Sequence, residues 1–495
     1  MKNGSPIGTI VVFVLATGVF FSSHGLRADE ISPTATDVVE EDHREGEKRD
    51  AAGRVNLDMK LVYGQYNNML STVNLSQDME DFVYIINSYF KRSNDFGYMS
   101  ETYENSSYYE NRIGFTGNLN HSEKSRSIFD MELNNDSRGM FDNPVFSREE
   151  KEKAKLSLKN IIKLSRSFEM YFTLGGAQYV HSLRSTTGDD PENSRVNQVN
   201  VNIGGEYIWS TTNGIKFKTT CFYYDYLDQK VENDLFFTGE VVDDFHLTRN
   251  IGISIGANLG LNRDDDPLLA PIISLSLRDF RHATIVFLYR LDMVPFRPEN
   301  YYLQQKYIMP TYDLPPGRVH RGDMRSEFRI NDTVKLIAQF TLEKNNNFYN
   351  YYPVPGNVLS ASALEVISYR SRFDFNLSLF GRLLEYTITY ESANYRADSN
   401  ITYSPVHGFY SSLLYNGARW TFEWNNRYYG QMYINPDEDA QIGNVIIGDF
   451  GMQRKMLESF FAYIKIENLY NNRYNLRDGY PEQGITILGG IRVLI

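Results

Sequence analysis

Few stretches of this chain hold reactive side chains at a spacing that chemistry would use. "GISIG" (252–256) satisfies the G-x-S-x-G pattern of a serine nucleophile. That pattern works where the serine sits on a sharp strand-to-helix turn. Here Ser254 lies inside an alternating run, with Ile251, Ile253, Ile255, Ala257 and Leu259 against Gly252, Ser254, Gly256 and Asn258. No turn or helix signal follows it. "RDDDP" (263–267) gathers Asp264, Asp265 and Asp266, oxygen ligands of the kind that hold Ca²⁺. A solvated loop charge explains the same run. The eight histidines are scattered without an H-E-x-x-H pattern, and Cys221 is the single cysteine, so neither a zinc site nor a disulfide framework is legible. No cofactor and no enzymatic activity are expected.

The other charged residues that stand out do so by alternation. In 215–223, Ile215, Phe217, Cys221 and Tyr223 alternate with Lys216, Lys218 and Thr220. In 420–427, Trp420, Phe422 and Trp424 alternate with Thr421, Glu423, Asn425 and Arg427. Lys465, Glu467 and Arg492 repeat the pattern near the C-terminus. A period of two is a strand with one apolar and one polar face. Mixed charge on the polar face suits a hydrated lumen or a docked polar partner, and it equally suits a cross-strand ladder that stiffens a wall. The chain ends the same way: Ile485, Ile487, Ile491, Val493 and Ile495 share one face, while Thr486, Gly490 and Arg492 take the other.

What must position these residues is a large, repetitive β-structure. The chain has 495 residues, yet no Pro/Gly/Ser-rich linker divides it. Its net charge of -12 argues against binding a phosphate backbone, so no nucleic-acid partner is expected. Residues 1–28 read as a signal peptide, because the apolar run from Ile10 to Phe21 is too short to span a bilayer as a helix. Residues 29–54 are charged and read as a disordered periplasmic tail. From 55 to 495 about 22 alternating segments follow, among them 55–67, 69–79, 153–163, 196–210, 361–376 and 484–495.

Short connectors such as 210–214, 248–250 and 330–332 interleave with longer ones at 136–152, 183–195, 295–318 and 345–360. Aromatic pairs near segment ends, Tyr301–Tyr302, Tyr351–Tyr352 and Tyr428–Tyr429, suit interfacial girdles. A large soluble β-protein would have no reason to keep short turns on one rim and long loops on the other. The expectation is therefore an all-β, transmembrane antiparallel barrel of about 22 strands, with long extracellular loops and short periplasmic turns. It would lie in the outer membrane of a Gram-negative-type bacterium, with that membrane's lipid around it. Lys216, Lys218, Glu423, Arg427, Lys465, Glu467 and Arg492 would face the lumen. The last strand would close the ring on the first, leaving no unpaired edge in hydrocarbon.

The C-terminal stretch "IKIENLYNNRYNLRDGYPEQGITILGGIRVLI" resembles the last two strands of TonB-dependent receptor barrels. Lys465, Glu467, Asn468, Leu469, Tyr470, Asn471 and Tyr474 match that family's K-V-E-N-L-[FY]-[DN]-x-x-Y stretch, and Gly479, Tyr480, Pro481 and Gly484 its G-Y-P-x-P-G-R. "YSPVHGFYSSLLYN" (403–416) resembles its Y-x-P-x-H lead into a strand, "RWTFEWNNRYYGQMYINPDE" (419–438) its W-x-x-x-x-x-x-R-Y-x-G strand, "FRPENYY" (296–302) with "YDLPPGR" (312–318) its F-R-A-P and N-P-D-L-K-P-E loop, and "NNDSRGMFDN" (134–143) its early D-x-R-G-L-P loop. The resemblance implies transport across the outer membrane and, from 29–39, contact with the TonB system. The chain departs from the family at Ile495, where an aromatic is usual. It also departs at its front, where only residues 29–54 stand in place of a globular plug. The expected function is a plugless conduit for a large solute or polymer, gated or plugged by a separate plug or periplasmic partner protein. The alternative is a sealed barrel that binds or assembles through its surface loops.

Overall fold

Alternation sustained through the chain folds as one sheet of 22 strands that closes on itself. The computed structural model describes residues 55–98, 101–188, 192–210, 213–227, 233–262, 266–280, 282–295, 306–310 and 314–495. The segments expected at 1–28 and 29–54, together with Asp264, Asp265, Tyr301 and Tyr302, lie outside them.

The first strands are β1 (Val55–Gly64), β2 (Met69–Met79), β3 (Phe82–Ser93), β4 (Tyr108–Ser122), β5 (Ser125–Gly139), β6 (Phe146–Ser165) and β7 (Phe168–Ser185). Next come β8 (Glu192–Ile208), β9 (Gly214–Tyr226), β10 (Asp234–Thr248), β11 (Ile251–Asn262), β12 (Leu268–Phe280), β13 (Ala283–Val294), β14 (Gly317–Arg329) and β15 (Val334–Val354). The ring is completed by β16 (Val358–Leu379), β17 (Leu384–Arg396), β18 (His407–Asn416), β19 (Trp420–Tyr429), β20 (Val445–Lys455), β21 (Phe460–Glu467) and β22 (Thr486–Leu494). Each strand pairs antiparallel with the next, and β22 pairs with β1, Leu61 opposite Ile491 and Lys60 opposite Arg492. Leu57 and Ile495 exchange two backbone hydrogen bonds of 2.9 Å, so the seam holds to the last residue.

Large apolar side chains stand exposed all around the ring, including Leu156, Leu174, Val241, Ile255, Phe340 and Trp424. A belt of this extent is stable in lipid, not in water. Ile487, Ile491 and Ile495 belong to it at 49%, 37% and 70% exposure, while Thr486 and Leu488 turn inward and are buried. Spacing near 4.8 Å and a tilt near 40° give a ring roughly 45 Å across.

Turns on one rim are tight, as at 80–81, 123–124 and 249–250, and connections on the other are long, as at 94–107, 430–444 and 468–485. The stretches 136–152, 183–195 and 345–360 correct the expectation of loops there. The chain stays in strand through most of each. β6, β7, β15 and β16 reach 20, 18, 21 and 22 residues, against 8 in β21 and 9 in β22. Above the bilayer both faces of a strand meet polar surroundings, so hydropathy stops alternating while the hydrogen-bond ladder continues. Two expected girdle tyrosines are likewise corrected. Tyr429 is buried at 6% exposure in an inner cluster with Val445 and Ile447, and Tyr351 packs on another inner cluster around Tyr179 and Tyr224.

Candidate functional site

The long hairpins lean inward and meet over the outer mouth. Asn143, between β5 and β6, is the meeting point. Its Nδ2 donates to Tyr480 Oη at 2.9 Å and to the Gly356 carbonyl. Its Oδ1 accepts from the backbone N–H groups of Val145 and Phe146 at 3.0 and 2.9 Å, which fixes the amide's orientation. Gly356 sits at the tip between β15 and β16, with a φ of +90° that an L side chain rarely adopts. Tyr480 comes from the connection between β21 and β22. These three contributors stand on separate arcs of the ring, and strands β6 and β16 lie on opposite sides of it. Their contact therefore crosses the mouth. Met140, Phe146, Leu183, Val358 and Tyr480 form a buried apolar cluster there.

The segment 306–310 forms a further bar across the opening. Its Met309 N–H donates to the Leu359 carbonyl at 2.7 Å, and the Leu359 N–H donates to Tyr307 O at 2.8 Å. The Tyr307 ring stacks on Tyr480 with centroids 3.7 Å apart. Glu149, on β6, anchors the bar from below. It accepts the Tyr307 and Ile308 N–H groups at 2.9 and 3.1 Å, lies 3.0 Å from Lys151 Nζ, and has His181 Nε2 at 3.2 Å. Glu149 is 2% exposed and His181 is fully buried. A buried carboxylate holds its charge in such a place only with this density of donors.

Beneath the bar lies a polar cavity of about 280 Å³. Lys91, Arg138, Lys306, Arg427 and Lys465 bring positive charge to it, and Glu110, Asp449, Glu467 and Glu482 bring negative charge. Arg138 pairs with Glu110, Arg427 with Asp449, and Lys465 with Glu467 at 2.7 Å. Lys306 reaches Glu482 at 3.4 Å, linking the bar to the β21–β22 connection. Burial pushes the Glu482 carboxyl up, but Lys306, with help from Arg138, outweighs it and holds the pKa below the usual glutamate value. Glu482 pulls the Lys306 ammonium up, but burial and the neighbouring Arg138 prevail and its pKa falls.

Of the residues singled out by alternation, Arg427, Lys465 and Glu467 line this chamber together. Glu423 stands on the same strand as Arg427 and accepts from Asn425 Nδ2 at 2.6 Å. Lys216 and Lys218 lie elsewhere on the wall, beside a second hollow of about 300 Å³ with Glu169, Glu206 and Glu240. Lys216 pairs with Asp244 at 3.0 Å and lies 3.7 Å from Glu206. Arg492 is at the seam, where its guanidinium meets Asp58 in a two-pronged contact of 2.8 and 2.7 Å. Ser254 lies in mid-strand in β11, so no nucleophile elbow is formed. The Asp266 backbone carbonyl accepts from the Arg318 guanidinium at 3.0 Å.

Alternation did not single out Asn143, Glu149, His181, Lys306, Tyr307 or Glu482. One signal was present all the same. Asn143 and Tyr480 both lie in the stretches that resemble TonB-dependent receptors, and the fold brings them into contact across 337 residues.

No family model matches the chain, and no curated protein matches it. Solved structures do. The FrpB iron transporter of Neisseria meningitidis aligns with a TM-score of 0.72 at 10% identity, over 89% of this chain and 81% of that one. The siderophore receptor PirA of Acinetobacter baumannii aligns at 0.71 and 8% identity, over 91% and 81%. The copper transporter OprC aligns at 0.66 and 10% identity, over 91% and 81%. This barrel therefore has the fold of the TonB-dependent receptors.

Proposed function

We propose that this barrel, sharing the fold of outer-membrane iron, siderophore and copper transporters, is itself an outer-membrane conduit for a solute too large for a simple pore. The observation that carries this reading is the mouth. Three arcs of the ring meet at Asn143, and a fourth segment, 306–310, bars the charged chamber beneath. A ring roughly 45 Å across, left open, would abolish the permeability barrier. A mouth closed by packed hairpins opens only when something moves them. In this reading, solute contact with the chamber and the hairpins shifts the closed arrangement. A partner seated in the periplasmic half, energised through the TonB system, completes the seal and the passage. The ion-paired inner wall at Asp58–Arg492 and Asp244–Lys216 offers such a partner a polar surface.

The test is single-channel conductance in a planar bilayer, comparing wild type with Asn143→Ala/Tyr480→Ala. The conduit reading expects a low-conductance wild type and frequent, large openings in the variant. If the variant inserts and folds yet stays silent, the conduit reading fails. The alternative, a sealed barrel that binds or assembles through its surface loops, then stands.

A further inference from the structure

Over β12–β17 the lipid-facing wall is not a smooth apolar belt. There a groove of about 590 Å³ opens outward. Phe287, Tyr289, Met324, Phe340, Leu342 and Tyr369 form its sides. The depression exists because three neighbours in the wall are small: Gly322, Ser371 and Ser392. The two serine hydroxyls bond each other at 2.7 Å, so neither demands a partner from the lipid.

The register shows what lies immediately above. Tyr289 stands opposite Gly322, Gly322 opposite Leu342, and Leu342 opposite Tyr369, forming the upper row of the groove. Two residues further along each strand, His320 stands opposite Lys344, Lys344 opposite Ile367, and Ile367 opposite Arg396. His320, Lys344 and Arg396 are all exposed on this face. A rise of ~3.3 Å per residue and a tilt near 40° put His320 and Lys344 about 25 Å above the turn at Asn331, the height of a barrel's apolar band. The groove thus lies in the outer half of the bilayer, and the Lys344 and Arg396 cations, with the His320 imidazole beside them, lie at head-group level. Glu365 pairs with Lys344 at 2.7 Å. Arg396 has no carboxylate partner among the described residues.

We propose that this face binds one phosphate-bearing lipid of the outer leaflet, an acyl chain lying in the groove and the phosphate on His320, Lys344 and Arg396. Apolar depth beside head-group cations matches a molecule that is hydrocarbon at one end and anionic at the other. A protein partner would need a broader apolar contact than one groove. The site is independent of the conduit's cargo and of the closed mouth.

Native mass spectrometry of the purified full chain tests it. The probe is bisphosphorylated, six-chain lipid A, against its dephosphorylated form and phosphatidylethanolamine. The expectation is one lipid A retained per barrel, with affinity about tenfold weaker for the dephosphorylated form. Lys344→Glu/Arg396→Glu should weaken binding by a similar factor. So should Gly322→Phe, since a Cβ at Gly322 meets only the Leu342 carbonyl at 4.0 Å and the ring can project into the groove. Glu365→Gln should strengthen binding, and it keeps the test decisive if a harsher variant fails to fold. The proposal is overturned if folded wild type retains no lipid A, if phosphate makes no difference, or if folded variants bind unchanged. A second copy of the chain or another protein occupying this face instead would also overturn it.

Discussion

Glu149 shows how much one buried carboxylate can organise. It fixes two backbone N–H groups of the bar, faces Lys151, and sits beside His181. Removing it takes the 3.0 Å carboxylate away from Lys151, which is only 5% exposed. Glu149→Ala should therefore weaken the closed mouth by about 3 kcal/mol, and Glu149→Gln, which keeps one acceptor oxygen, by less. Hydrogen exchange at the Tyr307 and Ile308 amides reads the difference directly. Glu482 adds a pH dependence. Its folded pKa lies below the ordinary 4.5, so its stabilising contribution is full above that value and is lost as the pH falls through the depressed one. Lys306 runs the other way: with its pKa depressed from 10.5, the charged form is a cost that shrinks as the pH rises toward that range. Exchange protection of 468–485 should consequently hold at pH 7 and drop as the pH falls below the ordinary glutamate value of 4.5. Unchanged protection in acid would remove the Lys306–Glu482 link from the account.

At the scale of single strands, the seam between β1 and β22 leaves no room for a side chain at Gly490. A Cβ built on Gly490 would lie 2.0 Å from the Leu61 carbonyl and 2.7 Å from Val62 Cα, both backbone atoms that cannot step aside. Gly490→Val should therefore prevent closure, seen as loss of the compact, heat-modifiable band on gel electrophoresis. Arg492→Ala should be far milder, about 1 kcal/mol in urea unfolding, because its contact with Asp58 is one-third exposed. Strand positions were legible wherever lipid met one face, since only there does hydropathy alternate. "FSREEKEKAK" (146–155) reads as a charged surface loop merging into a strand, yet all of it is β6, with Glu149, Lys151 and Lys153 turned inward under the hairpins. Nothing local could reveal that, because what covers them includes the 306–310 bar, which reaches Glu149 across 158 residues. The lipid groove was hidden for a related reason. It is a coincidence of small residues on neighbouring strands, and register across strands is not written in any one of them.

Over the whole molecule, closing the ring and closing the mouth are separate achievements. The ladder below the hairpins runs unbroken around all 22 strands. The mouth depends on side chains and on the 306–310 bar. Shortening the β15–β16 hairpin by excising 347–365 and rejoining the ladder should leave a folded, inserted barrel with markedly higher conductance. A variant that no longer inserts would show that the hairpins belong to the wall's own stability.

The seam has a further consequence, one of order in time. Asp58 meets Arg492 across 434 residues of chain. β1 is the first of the described strands to be made, and one of its edges finds no partner until β22 arrives. Once β1 is in strand and until β22 pairs with it, that edge presents N–H and C=O groups ready to pair with any extended segment it meets. The interval in which the barrel is most exposed to wrong pairing is thus set by the length of the chain itself. Something must shelter β1, or occupy its edge reversibly, until the C-terminal strand displaces it.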